Sequence, residues 1–181
     1  MALKLPRTIR LDPSDTFVYA PAAEPGEWAV TGTFRFFGVD TASLDGKERQ
    51  AFRGGFLGID SFGWSTLAVV TQARDEDVEC ATERLARQLV KHCGAPDPAS
   101  ARGAAEDEIA FAGSLCDHPE GTLLGLHRSA EGTGIRESFR TLHRRADRLD
   151  PIGAFRIVEV DEEDAPAEEV DLVALAEGRQ P

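Results

Sequence analysis

Apolar and polar positions along the chain fall into three zones. The first third reads as short strands. Thr8 to Leu11 and Thr16 to Ala20 are β-rich runs around the turn composition Asp12-Pro13-Ser14-Asp15. Residues 28 to 37 (WAVTGTFRFF) predict a third strand, residues 47 to 53 one or two helical turns, and Trp64 to Ala73 a stronger strand rich in Thr, Leu and Val. Helical periodicity then takes over. Val78, Ala81, Leu85 and Leu89 recur at spacings of three and four within residues 75 to 93. Acids fill the first turn of that helix, Lys91 and His92 fill the last, and Gly94 follows as a stop. Asp97-Pro98 supplies an N-cap and a proline at the first helical position, predicting a second helix to about Cys116 with Ile109, Ala112 and Cys116 on its buried face.

The last zone returns to strands. Thr122 to Ser129 and Ile135 to His143 flank a Gly-containing turn, and a hairpin is the economical reading. A helix over the second arm would stack Arg136, Arg140, Arg144 and Arg148 at spacings of four, and like charges on one face disfavour it. Ala154 to Val160 suggests a final strand, and Val170 to Ala176 a short apolar helix within an acidic tail. Helices and strands do not alternate strictly, so the order predicts an α+β fold: a mostly antiparallel sheet with two main helices packed on one face. One domain over residues 1–158 and a flexible acidic tail over 159–181 are expected.

Composition sharpens this picture. The 181 residues carry 20 Lys+Arg against 32 Asp+Glu, a net charge of -12. Residues 159 to 181 hold nine acids and one base, a net of -8, which leaves -4 on residues 1 to 158. The acidic balance argues against a nucleic-acid or anionic-membrane partner, because both are polyanions. No apolar stretch reads as a secretory signal or a membrane span, and three cysteines without CxxC spacing fit a reducing cytoplasm. Arg outnumbers Lys 17 to 3 and Asn is absent, a skew that suggests a bacterial chain of GC-rich coding.

Candidate chemistry is sparse. Phe52 to Trp64 packs three Phe, one Trp and four Gly into 13 residues. It reads either as a core connection or as a wall for a small planar ligand, with Phe56, Phe62 and Trp64 as ligand-binding candidates. The same segment has the GxxxxG spacing of a phosphate loop, but Trp64 stands where that loop needs Lys and a strand follows instead of a helix. Ser61 is one residue out of register for a nucleophile elbow. Cys116-x-His118 lacks zinc-ligand spacing, so no metal or other cofactor is assigned. His127 and His143 sit in the echoing strings LHR and LHRR and are the acid/base candidates if the protein is an enzyme. Arg136, Arg140 and Arg144, with Arg145 and Arg148 beyond, form a basic segment suited to an acidic protein partner or to the chain's own tail.

The strings LPRTIRLDPSDTFVY, PGEWAV, GFLGIDSFGWSTL, EIAFAGSLCDHPEGTLLGLHR and IRESFRTLH, over residues 5 to 143, resemble a family of uncharacterised proteobacterial proteins, a domain of unknown function. The resemblance carries over no catalytic residue. It implies an accessory role near molybdoenzyme maturation and cofactor-ligase genes; the long acidic tail is a departure from it. The expectation is therefore a cytoplasmic, non-catalytic accessory protein that binds a protein partner and assists maturation of a cofactor-containing enzyme. The alternative is a small-molecule enzyme or ligand-binding protein built around the aromatic, Gly-rich segment.

Overall fold

The computed structural model describes residues 3–142. The expected final strand at 154–160, the helix at 170–176, the acidic tail, His143, Arg144, Arg145 and Arg148 lie outside the described residues.

Among the described residues, seven strands and four helices follow the order β1 (Lys4–Ile9), α1 (Ser14–Val18), β2 (Ala29–Val30), α2 (Gly46–Gly54), β3 (Phe56–Gly58), β4 (Trp64–Ser65), β5 (Leu67–Gln72), α3 (Asp75–Cys93), α4 (Pro98–Ser114), β6 (Leu123–Glu131) and β7 (Gly134–Leu142), with a 3-10 turn at Thr33–Phe36. Four strands form one sheet in the order β1-β5-β6-β7, and β2-β3-β4 form a second. Every strand pair is antiparallel, so the fold is α+β as expected. The sheets are stitched together at the outer edge of β1: the Thr8 N–H donates to the Glu27 carbonyl and the Gly26 N–H to the Thr8 carbonyl, both at 2.9 Å.

α3 and α4 form where the periodicity places them, because their ends are chemically marked. The Asp77 carboxylate accepts the Arg74 backbone N–H at 2.9 Å, and Gly94 turns the chain out of α3 at φ 68°. Asp97 accepts the Ser100 N–H at 2.8 Å at the start of α4. The helices meet through Ala81, Leu85 and Leu89 on α3 and the buried small residues Ala101, Ala105 and Ala112 on α4. A second core cluster, with Phe56, Ala68, Val70, Cys116, Leu124 and Leu126, lies beneath the larger sheet.

Three local expectations are corrected. Residues 16 to 20 are not a strand: Ser14–Val18 is helical, opened by the Asp12 carboxylate, which accepts the Ser14 N–H at 2.7 Å. This turn swings Asp15 inward, where its carboxylate accepts the Thr66 hydroxyl at 2.7 Å across the break between β4 and β5. The strand expected over 28 to 37 is reduced to Ala29–Val30, because Gly32 takes φ 74° and the chain winds into the 3-10 turn. The 64–73 strand is divided at Thr66, and Phe56–Gly58 adds a strand that its glycines concealed.

Candidate functional site

Strand alternation decides what the β6–β7 hairpin presents to solvent. On β7, Arg136, Ser138 and Arg140 are exposed while Ile135, Glu137 and Phe139 are half-buried. On β6, His127 is exposed between buried Leu126 and Arg128. The register sets His127 opposite Ser138, Ser129 opposite Arg136 and Gly125 opposite Arg140. Residues opposite one another share a face, so His127, Arg136 and Arg140 lie together on the solvent side of the hairpin. Arg136 makes an exposed ion pair with Glu131 at 3.1 Å, and among the described residues Arg140 has no ion-pair partner. His127, Arg136 and Arg140 thus stand on one surface, over the last two strands of the larger sheet among the described residues.

Beneath that surface lies a cation the sequence reading passed over. Arg128 has a fully buried side chain. Its Nη1 donates to the carbonyls of Ala51, Phe52 and Gly55 at 3.2, 3.1 and 3.0 Å, which places a cation at the end of α2; the Ala51 carbonyl also accepts the Gly55 N–H at 3.0 Å. Its Nη2 donates to the Thr31 carbonyl, and its Nε reaches the Thr33 hydroxyl at 2.7 Å and the Glu137 carboxylate at 3.1 Å. The guanidinium also lies over the Phe36 and Trp64 rings, at 5.6 and 5.9 Å from their centroids. Burial holds the group below its ordinary value, at about 10, and the Glu137 charge opposes that fall. One signal could have found it: Leu124, Leu126 and Arg128 follow a period of two, which turns Arg128 to the inward face.

Glu108 of α4 belongs to the same electrostatic cluster. Its Oε2 is buried without a hydrogen-bond partner. Burial, with the Glu137 charge adding to it and Arg128 opposing it, pushes its carboxyl up to about 7. Folding therefore favours the protonated form. Between the unfolded value of 4.5 and about 7 the native chain binds more protons, so stability falls as pH rises through this window and levels off above it. Glu108→Gln should leave unfolding in urea nearly unchanged at pH 5. At pH 8 it should raise stability by about 1–2 kcal/mol, a figure discounted because the group keeps some contact with water. Equal effects at both pH values would refute this assignment.

The aromatic candidates are placed in the interior. Phe56, Phe62 and Trp64 are all buried, with Trp64 stacked on Phe36 at 5.4 Å between centroids. Phe62 lies between the His92 ring at 4.9 Å and the Arg35 guanidinium at 4.9 Å. The glycines serve close approach: a Cβ on Gly63 would come within 2.6 Å of the Ala22 backbone, and one on Gly58 within 2.6 Å of Glu27 Oε2. Cys116 is buried, its thiol pushed up to about 12 by desolvation, which removes it as a nucleophile at neutral pH. A groove of about 570 Å³ between β1, α3 and α4 gathers Leu5, Val78, Ile109 and Cys116 with Glu79 and Glu106. Both of those carboxylates already pair with Arg102, at 2.6 and 3.0 Å. Among the described residues no three His, Cys, Asp or Glu side chains stand close enough to hold a metal ion, and no helix is long and apolar enough to cross a membrane.

Fold and surface together define an α+β domain that presents an arginine-bearing hairpin over a buried Arg–Glu network. A family of unknown function (DUF6505) matches residues 1–161, and the chain belongs to that family. No curated protein and no solved structure matches the chain.

Proposed function

We propose that this is a non-catalytic accessory protein of the cytoplasm that docks on a protein partner through the solvent face of the β6–β7 hairpin. Arg136 and Arg140 read carboxylates on the partner, and His127 completes the contact. One observation supports this reading: these side chains are the sequence-predicted candidates left at the surface among the described residues, on a hairpin whose buried Arg128 bonds to the carbonyls of Thr31 and Ala51 beneath it. Phe56, Phe62 and Trp64, by contrast, are committed to packing. Planar guanidinium groups suit bidentate carboxylate recognition, which favours an acidic protein surface. The class of partner, a cofactor-containing enzyme under maturation, follows from the family resemblance and not from the geometry.

The enzyme alternative has less support. His127 faces solvent, and the Ser138 hydroxyl opposite donates to the His127 carbonyl at 3.4 Å, not to the imidazole. A photo-crosslinking amino acid at position 138 of the full chain tests the docking reading in native lysate. The expected result is one adduct, to a cofactor-dependent enzyme, lost in Arg136→Glu/Arg140→Glu. An adduct unchanged in that variant, or none, would refute it.

A further inference from the structure

Besides its ladder with β6, β7 is tied to the body of the protein, among the described residues, by side chains on its inner face. Ile135 packs on the larger core cluster, the Glu137 carboxylate accepts the Thr33 hydroxyl and the Arg128 Nε–H, and the Phe139 ring meets Phe111 of α4 edge-on at 6.0 Å. Residues two apart on a strand share a face, and so do residues three apart on a helix. Glu137 and Phe139 therefore look across one seam at Glu108 and Phe111 of α4, and a carboxyl pair stands beside an aromatic pair.

The charges in this seam balance in one protonation state. Arg128 from β6 is the cation, Glu137 from β7 is paired with it at 3.1 Å, and Glu108 from α4 faces both. Tyr19, at the end of α1, lies near Arg128 and stays neutral because burial pushes its phenol up. Asp107, next to Glu108 on α4, is exposed, and water screens its charge. With Glu108 neutral, the charges of Arg128 and Glu137 cancel. With Glu108 ionised, one negative charge is left over. Arg128 turns its fork toward the carbonyls of Thr31, Ala51, Phe52 and Gly55, and the Glu108 Oε2 is buried with no hydrogen-bond partner.

We infer that Glu108 is a proton-operated latch between α4 and β7: protonated it lets the seam close, and ionised it loosens the hold of α4 on the strand that carries Arg136 and Arg140. A neutral carboxyl brings a hydroxyl donor and no charge to the seam, whereas a carboxylate sets a second anion against Glu137 where water screens poorly. The relief is local. Glu108 is half-buried and Phe111 half-exposed, so parting Phe111 from Phe139 admits water to the carboxylate while the core at Ala105 and Ile109 stays closed. In the open seam the carboxyl returns toward its ordinary 4.5, below the value of about 7 that it has when closed. Opening therefore grows as pH rises between these values and levels off above them.

The latch stands apart from the docking reading and is tested on the purified full-length chain alone. A single 4-fluorophenylalanine at position 139 reads the seam by fluorine NMR, and the same label at position 111 reads it from the side of α4. With Glu108 in place, both resonances should move between two limits as pH rises from 5 to 8.5, with one shared midpoint between 4.5 and about 7. The shift of each fluorine between H2O and D2O, which reports its contact with water, should grow by about twofold from the low-pH to the high-pH limit, as expected of a local opening. In Glu108→Gln, and equally in Glu108→Ala, both resonances should stay still across that range. Resonances that do not titrate with Glu108 in place would overturn the inference. So would a titration that persists in both variants, which would mark another group as its source. A titration without any change in water contact would overturn it too, since Glu108 would then ionise with the seam closed.

Discussion

Arg128→Met should destabilise the protein by about 4 kcal/mol or more in urea unfolding, a large share of the roughly 5–15 kcal/mol that holds an ordinary domain folded. Four main-chain carbonyls, of Thr31, Ala51, Phe52 and Gly55, each accept from the guanidinium inside the protein. Ala51 keeps the Gly55 N–H as a donor, while each buried acceptor left without one costs about 1–3 kcal/mol before any relaxation. The Glu137 carboxylate would also lose its cation and keep only the Thr33 hydroxyl. Arg128→Lys should recover little, because one ammonium cannot reach the end of α2 and Thr31 together. Arg128→Met/Glu137→Leu should be less damaging than the two single changes added, by about 2 kcal/mol, since the paired variant buries no lone charge. Destabilisation below about 1 kcal/mol in Arg128→Met would show that the buried network does not hold the hairpin to α2.

That network also marks where the sequence was legible and where it was not. α3 and α4 could be read because their evidence is local: a repeat of three and four, acids in the first turn, Asp97-Pro98 at one start and Gly94 at one end. The hairpin could be read for the same reason, from two alternating runs and a Gly-bearing turn. The early strands could not, because distant partners decide them. Asp15 is drawn inward by Thr66, 51 residues away, and Phe36 leaves a strand-like run to stack on Trp64 and pack edge-on against Phe52. β-branched and aromatic content reports fitness for a half-buried surface, and such contacts override it. The site divides along the same line. Arg136, Arg140 and His127 were visible as polar positions of a strand. Arg128 stands beside His127 in the same string, and only the inward parity it shares with Leu124 and Leu126 tells a buried cation from an exposed one.

Glu27→Ala should be the second most damaging single change among those considered, at about 3 kcal/mol. Glu27 is buried, and both carboxylate oxygens are in use: Oε1 accepts the Glu24 N–H at 2.8 Å, and Oε2 accepts those of Asp60 and Ser61, each at 2.9 Å. These last two amides belong to Gly58-Ile-Asp-Ser-Phe-Gly63, the string with phosphate-loop spacing. Its backbone donors do hold an anion, and the anion is the protein's own carboxylate. This explains why Gly58 lies where any Cβ would collide with Glu27, and why Phe62 is held at φ 56°. Gln88 secures the same turn from α3, donating to the Ile59 and Asp60 carbonyls at 3.0 and 2.9 Å. Removing the carboxylate leaves three amides without acceptors at about 1 kcal/mol or more apiece. Glu27→Gln should be nearly as damaging as Glu27→Ala, because its amide nitrogen must point at one of those N–H groups. Melting curves of the alanine variant in sodium acetate should show a partial recovery over sodium chloride of equal ionic strength, as a free carboxylate enters the vacated cradle. A glutamine variant as stable as the native chain would refute the account, since it would mean that neutral hydrogen bonding alone holds the turn.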